Sequence, residues 1–288
     1  MVQKMTFFPK ILQNSLKLAA SYALFAAFTS SAFAAGGDEI KMKYDVYAVG
    51  VKVYKISLKM KINEKDYTSK VAVRAKGFIK FFSNAEIDIS SSGIIGATNI
   101  APRNYVMKSK SKGKKRNVKI TWAKGVKPKA TRNYKLNKWR LGQIDKVLRP
   151  EAGGPLTFLL RQAARAPAKP CTGSERVYTG KVVYEYSYKK LGSEEFTSEN
   201  PGSYRGPALK CSLSMRPLAG LSAEKMAEVK AKPYPPYTIW YAPVAGSKAT
   251  RLVPVAAKGK MKGQPFELRL KKGEIGGKSI NSRTTALK

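Results

Sequence analysis

Alternation with a period of two runs through most of the chain. Met42, Tyr44, Val46 and Ala48 share one parity, and Ile56, Leu58, Met60 and Ile62 alternate with Ser57, Lys59 and Lys61. A strand with one face buried and one in water has this pattern, as in antiparallel sheets. Val71, Val73 and Ala75 continue it, then Ile87 and Ile89. Val118, Ile120 and Trp122 alternate with Lys119 and Thr121 after a basic turn, and a strand near Tyr105 and Met107 before that turn makes a hairpin. Later, Val182, Tyr184, Tyr186 and Tyr188 follow a Thr179-Gly180 turn. Leu209, Cys211, Leu213 and Met215 share one parity, and Tyr237, Ile239 and Tyr241 another. Leu252, Val253 and Val255, then Phe266, Leu268 and Leu270, predict the final strands.

Pro155 opens a segment of a different period. Leu156, Phe158, Leu159, Leu160 and Ala163 follow it in a stripe at i, i+3, i+4 and i+7, which predicts a helix with proline in its first turn. Its apolar face must be covered, and in a chain this rich in half-buried strands the sheet is the cover. Ser222 to Lys230 predicts a short second helix, with Glu224 in its first turn. The expected fold is mainly β: a single curved antiparallel sheet, a half-open barrel or β-spiral, wrapped around one main helix. The stretch from Arg149 to Thr172, rich in Pro, Gly and Ala, divides the strands into two groups. Neither group has an evident closed sheet, so one domain is expected. From Lys271 the chain is basic, Gly-rich and without period, which predicts a disordered tail over 271–288.

The first residues change the picture. Lys4, Lys10 and Lys17 precede an apolar run from Leu18 to Phe28, and small residues follow, ending in Ala32-Phe33-Ala34. That order predicts a secretory signal peptide over 1–34, cleaved between Ala34 and Ala35. The run is shorter than the roughly 18 residues a membrane span needs, and no later stretch is long enough, so the mature chain is expected to have no transmembrane segment. Residues 35–270 are then a single β-rich periplasmic domain, of a size that buries a substantial core. In an oxidising compartment the pair Cys171 and Cys211 is expected to form a disulfide.

Charge bears on partners. The chain has 55 Lys and Arg against 18 Asp and Glu, a formal net charge of +37. Inside a cell this would point to nucleic acid. Export, the spread of the charge over nearly every segment and the minority of Arg argue against nucleic acid and for a solvated surface. The anionic partners open to such a surface are an envelope lipid or an anionic envelope polymer, with a protein partner also open. Lys110, Lys112, Lys114, Lys115 and Arg116 form the densest cluster and are candidate anion contacts.

Candidate chemistry is sparse. The chain has no His, which removes Ser-His and Cys-His nucleophiles and His-ligated metals. Ser222-Ala-Glu-Lys225 has an S-x-x-K spacing, but such spacings arise by chance in a chain rich in Ser and Lys, and no K-T-G element accompanies it. Asp66, Asp88, Asp145, Glu185 and Glu194 lie near Lys or at alternating positions, the pattern of surface ion pairs. No Gly-rich phosphate loop follows a strand. No catalytic residue, metal or cofactor is expected. Trp122, Trp139 and Trp240, with Tyr184, Tyr186 and Tyr188, are either core aromatics or the lining of a hydrophobic cavity. The residues placed at such a cavity are Leu156, Leu159, Leu160, Trp122, Tyr184 and Tyr186.

A succession of short motifs carries a family resemblance. Gly50 to Val53, Ser92-Gly93, Pro102, the strand from Arg116 to Trp122, Gly154-Pro155-Leu156-Thr157, Cys171 with Gly180, and Cys211 followed by Pro217 occur in this order. The chain resembles the domain of unknown function 3108 family of exported Gram-negative proteins over roughly residues 40 to 270. It departs from the family at Tyr54, where members often carry Gly, and at Gly153-Gly154, where they carry an Asp before the helix. The layout is similar to periplasmic lipoprotein carriers, in which a half-open sheet wraps helices and shelters an acyl chain. The family resemblance implies no settled activity; the expectation of a non-enzymatic periplasmic envelope protein binding a lipidic or amphipathic molecule rests on a concave apolar sheet face for the hydrophobic part and Lys-rich rims for an anionic head. The rival expectation is a scaffold with a filled interior that binds another envelope protein or an anionic glycan.

Overall fold

The structure is a computed structural model that describes residues 38–77, 80, 84–96, 99–164, 170–197, 203–243, 252–261 and 263–280. The expected leader and its cleavage site at Ala34 and Ala35 lie outside the described residues, as do 281–288. Seven strands come first: β1 (Asp38–Ala48), β2 (Val51–Ile62), β3 (Asp66–Ala75), β4 (Glu86–Ile95), β5 (Ile100–Ser111), β6 (Lys114–Ala123) and β7 (Val126–Arg132). Helices α1 (Lys138–Val147) and α2 (Pro155–Ala164) follow. The rest are β8 (Gly173–Tyr178), β9 (Val183–Thr197), β10 (Arg205–Ala219), α3 (Ala223–Ala231), β11 (Tyr237–Pro243), β12 (Leu252–Met261), β13 (Gln264–Ile275) and β14 (Lys278–Ser279).

All the strands join one antiparallel sheet in the order β7-β6-β5-β4-β3-β2-β1-β13-β12-β11-β10-β9-β8, with β14 on β13. Each half is a meander of neighbours in sequence, and the pairing of β1 with β13 joins the halves. The sheet is not closed into a barrel, since β7 and β8 are not hydrogen-bonded to each other. Side chains and a loop hold these ends together instead. Arg132 of β7 donates to the Tyr178 hydroxyl at 2.9 Å and to the Gly180 carbonyl. The free edge of β8 takes a parallel bridge from Gly153 in the α1–α2 loop, and the Trp122 indole of β6 donates to Ala152 of that loop at 2.7 Å.

The two faces of the β8–β9 hairpin touch different parts of the core. Val177 and Tyr188 pack with Phe158 of α2, while Tyr178 and Val183 pack with Val118 and Ile120 of β6 and Ile144 of α1. The hairpin is thus tucked between α2 and the opposite end of the sheet. At its tip, Gly180 has φ +80°, and a Cβ there would collide with Val118. Helix α2 gives one side chain to each of the three core clusters: Leu156, Phe158 and Leu160. Cys171, just beyond α2, is disulfide-bonded to Cys211 of β10, as expected.

Three expectations need correction. The described residues hold three helices, where one main and one short helix were expected. Helix α1 has a faint pattern: its interior contains Gly142, and among its residues only Ile144 is buried. A cap defines its start, the Asn137 side chain accepting from the Arg140 amide at 3.0 Å. Second, Leu159 is 40% exposed and does not join the buried face of α2. At about 100° per residue, burial of Leu156, Thr157, Phe158, Leu160 and Gln162 covers more than half the helix circumference, and Leu159 falls in the remaining gap. The Ala163 side chain lies outside the described set. Third, regular structure does not stop at Lys271: β13 runs to Ile275, and β14 returns to Ser279. A register shift opposite Lys43 and Tyr44 breaks the alternation there, which hides the strand from a period-two reading.

Candidate functional site

Register defines the inner face of the sheet row by row. Ile62 and Tyr67 form one row, and Met60, Ser69, Ser91 and Tyr105 the next. All six are buried. The following rows, Leu58–Val71–Ile89–Met107 and Ile56–Val73–Ile87, are half-buried. The same change occurs on the other strands. Tyr44 and Leu270 are buried, while Val46, Leu268 and Phe266 are half-buried, as are Leu213, Met215 and Tyr237. One end of this face is therefore buried, and the other leaves its apolar side chains partly accessible.

Helix α2 produces the packed end. The Thr157 hydroxyl lies 2.7 Å from that of Tyr67, which also contacts Ser91 at 3.3 Å. Arg161 donates to the Ile100 carbonyl at 2.8 Å and pairs with Glu175 of β8, both side chains being 11% exposed. Gly93 makes room for this arrangement, because a Cβ there would run into Tyr67 and the backbone at Ala101.

Phenols and one phenyl ring line the boundary between packed and open ends. The Phe158 ring stacks on Tyr188 at 5.2 Å and meets Tyr186 edge-on at 4.6 Å, and Tyr184 lies 5.8 Å from Tyr186. The Tyr188 and Tyr241 hydroxyls are 2.9 Å apart. Burial pushes the ionisation of Tyr105 and Tyr241 up to about 12, and that of Tyr44, Tyr186 and Tyr188 higher still. These groups stay neutral across the physiological range. Tyr44, Tyr105, Tyr188 and Tyr241 are buried, the Tyr44 hydroxyl donating to the Pro254 carbonyl at 2.9 Å, and Tyr186 is half-buried.

Of the sequence-chosen cavity residues, Tyr184 and Tyr186 are half-buried on this concave face. Leu156 and Leu160 are packed in the core, 6% and 1% exposed, and Trp122 anchors the α1–α2 loop against Gly154. The three tryptophans do not come together: Trp139 is 46% exposed on α1, and Trp240 packs near Phe196 with its indole donating to Glu194. Lys110, Lys112, Lys114, Lys115 and Arg116 lie exposed at the β5–β6 hairpin, where Lys112 and Gly113 both have positive φ, as a two-residue hairpin turn requires. Arg116 sits over the Tyr134 ring at 5.6 Å. Sequence reasoning missed Tyr105, Tyr237 and Phe158 as lining residues. Alternation marks Tyr105 and Tyr237 as inward and register assigns their neighbours, whereas Phe158 reaches the tyrosines from α2. Among the described residues, no cluster of side chains could hold a metal ion, and no helix is long and apolar enough to cross a membrane.

The family model described as "Protein of unknown function (DUF3108)" matches residues 43–271. The chain belongs to the DUF3108 family. No curated protein matches it. Among solved structures, it is similar to a beta-barrel-like protein of domain of unknown function DUF1849 from Brucella abortus, at 9% identity and a TM-score of 0.50, covering 82% of this chain and 97% of that one. A protein from Parabacteroides distasonis described as a candidate lipoprotein matches at 8% identity and a TM-score of 0.30, covering 82% and 95%. The first likeness shows that this DUF3108 chain shares a fold with a DUF1849 protein, at an identity where activity does not carry over.

Proposed function

We propose that this DUF3108 protein is a non-enzymatic periplasmic envelope protein that binds a lipidic or amphipathic envelope molecule at the open end of its concave face. One observation carries the reading: the change along the inner face from rows buried under α2 to the half-buried rows of Ile56, Leu58, Val73 and Ile87. Contiguous apolar surface left accessible in a concavity is what a hydrophobic ligand covers. Tyr184, Tyr186 and Tyr237 supply hydroxyls at its edge for a polar group. The Cys171–Cys211 bond supports an oxidising, extracytoplasmic compartment, and the leader motif ending at Ala34 supports export to the periplasm.

The packing of Leu156, Phe158 and Leu160 favours a second reading, a scaffold with a filled interior that binds an envelope protein or an anionic glycan on its outside. Native mass spectrometry of protein taken from its own periplasm separates the two. A retained mass in the lipid range, lost when Met215→Trp narrows the mouth, is the expected result. A bare polypeptide mass, with no lipid extractable from the purified protein, would overturn the binding reading.

A further inference from the structure

The outer face of the sheet carries a second feature, independent of the concave mouth. Across β1, β2 and β3, Lys41, Lys59 and Lys70 stand directly opposite one another. Neighbouring strands are about 4.8 Å apart, and like charges at that spacing repel. Lys41 has Glu39 at 2.9 Å. Among the described residues neither Lys59 nor Lys70 forms a close ion pair, although Glu39 is near enough to Lys59 to feel its charge. In the next row, Lys43, Ser57, Ala72, Asp88 and Lys108 are aligned across β1 to β5. The acid in this row, Asp88, pairs with Arg74 at 2.5 Å.

Short side chains lie between these lysines. An open depression of about 370 Å³ is lined by Ser57, Ala72 and Ser90, by Lys59, Lys70 and Lys108, by the carboxylate of Asp88, and by apolar Val71, Ile89 and Val106. With the Asp88 carboxylate offset by Arg74, two serine hydroxyls and three ammonium groups around the hollow match the oxygen atoms and charge of a phosphate ester. The hairpin cluster at Lys110 to Arg116 is as basic, but it lies on an exposed turn.

We propose that this depression on β2–β5 receives the phosphate headgroup of an anionic lipid and docks the outer face of the sheet on an anionic membrane surface. A lipid surface fits better than a free phosphate ion because the lysines continue beyond the hollow. Lys61 on β2 and Lys119 on β6 lie on the same face, so an array of phosphates can engage several of them together. Such attraction adds up over lysines near an anionic leaflet and fades as salt shortens the screening length.

The test is co-sedimentation of the chain from Ala35 onward, without the leader, with vesicles of equal parts phosphatidylglycerol and phosphatidylcholine, with pure phosphatidylcholine as the comparison. Binding to the anionic vesicles alone, reversed by salt, is expected. The triple variant Lys59→Ser/Lys70→Ser/Lys108→Ser should lower the partition by about a hundredfold, at about fivefold for each lysine. The charge-matched hairpin variant Lys112→Ser/Lys114→Ser/Lys115→Ser should lower it by less than about tenfold, since its lysines lie outside the docked hollow. Ala72→Phe, which fills the hollow without changing charge, should also weaken binding. All these positions are on the surface, so an unchanged melting temperature checks that the variants are folded. Equal losses in the two triple variants, no loss in Ala72→Phe, or competition by inorganic phosphate at constant ionic strength would each overturn the proposal. A lipid retained in the concave mouth bears on neither outcome, so this docking and the function proposed above can fail separately.

Discussion

The hydroxyls of Tyr67 and Thr157 meet at 2.7 Å inside the protein, joining β3 to α2 where both residues are 0% exposed. A buried hydrogen bond of this kind contributes about 1 kcal/mol, and leaving its partner unsatisfied costs about 1–3 kcal/mol. Tyr67→Phe should therefore lower stability by about 1 to 3 kcal/mol in urea unfolding. The double variant Tyr67→Phe/Thr157→Val should cost less than the sum of the singles, because the partner is removed along with the bond.

The orientation of α2 predicts opposite outcomes for adjacent leucines. Leu160→Ala should destabilise by about 2 to 5 kcal/mol by opening a cavity in a closed core. Leu159→Ala, on the exposed side of the same helix, should stay within about 0.5 kcal/mol. Matching losses at the two sites in denaturant titration would mean that the helix is rotated from the position described.

Arg161 and Glu175 test the link from α2 to the edge strand β8. Arg161→Met leaves the Glu175 carboxylate buried without its cation and should cost about 3 to 5 kcal/mol. Arg161→Met/Glu175→Gln should recover part of that loss, since no buried charge remains. Thermal unfolding of the set reads the difference directly.

The disulfide closes a sequence separation of 40 residues. Cys171→Ser/Cys211→Ser should lower stability by up to about 4 kcal/mol in the chain-entropy account. Alkylation without reduction should find no free thiol in the parent protein. An unchanged melting temperature in the variant would deny the bridge a stabilising role.

The buried phenols predict an alkaline limit. An unfolded tyrosine ionises near 10, whereas Tyr105 and Tyr241 are held up to about 12 in the fold. Between these values the unfolded chain has released protons that the folded chain still holds, so stability falls as pH rises. Stability from this source is full below about pH 10 and declines by about 1.4 kcal/mol per pH unit for each such group above it. Phenolate absorbance should appear first from exposed tyrosines, then in a cooperative step coinciding with loss of structure. Smooth titration of every tyrosine near 10 would mean that these phenols are not buried.

Much of the sheet was legible because one face of each strand is wet and the other dry, so Ile56 to Ile62 and Tyr184 to Tyr188 state their own orientation. Alternation assigns a face, but it does not assign a neighbour, and so it could not show that Tyr105 and Tyr186 border the same mouth or that Lys59 and Lys70 stand side by side. The helical stripe located α2 correctly and aimed it wrongly. A stripe assumes cover from one side, whereas α2 is covered on several, which is why Thr157 and Gln162 are buried and Leu159 is not. Helix α1 was hidden because its start depends on a cap at Asn137 more than on an apolar face. The last turn of β13 was hidden by a bulge.

The pairing of β1 with β13 has a consequence for assembly. The strand nearest the start of the described chain finds one of its two neighbours only when residues beyond Gln264 are available, so this contact spans almost the whole sequence. Loops of that length close slowly and leave an unpaired edge in the meantime. Until then, one side of β1 is an open template for another copy of the chain.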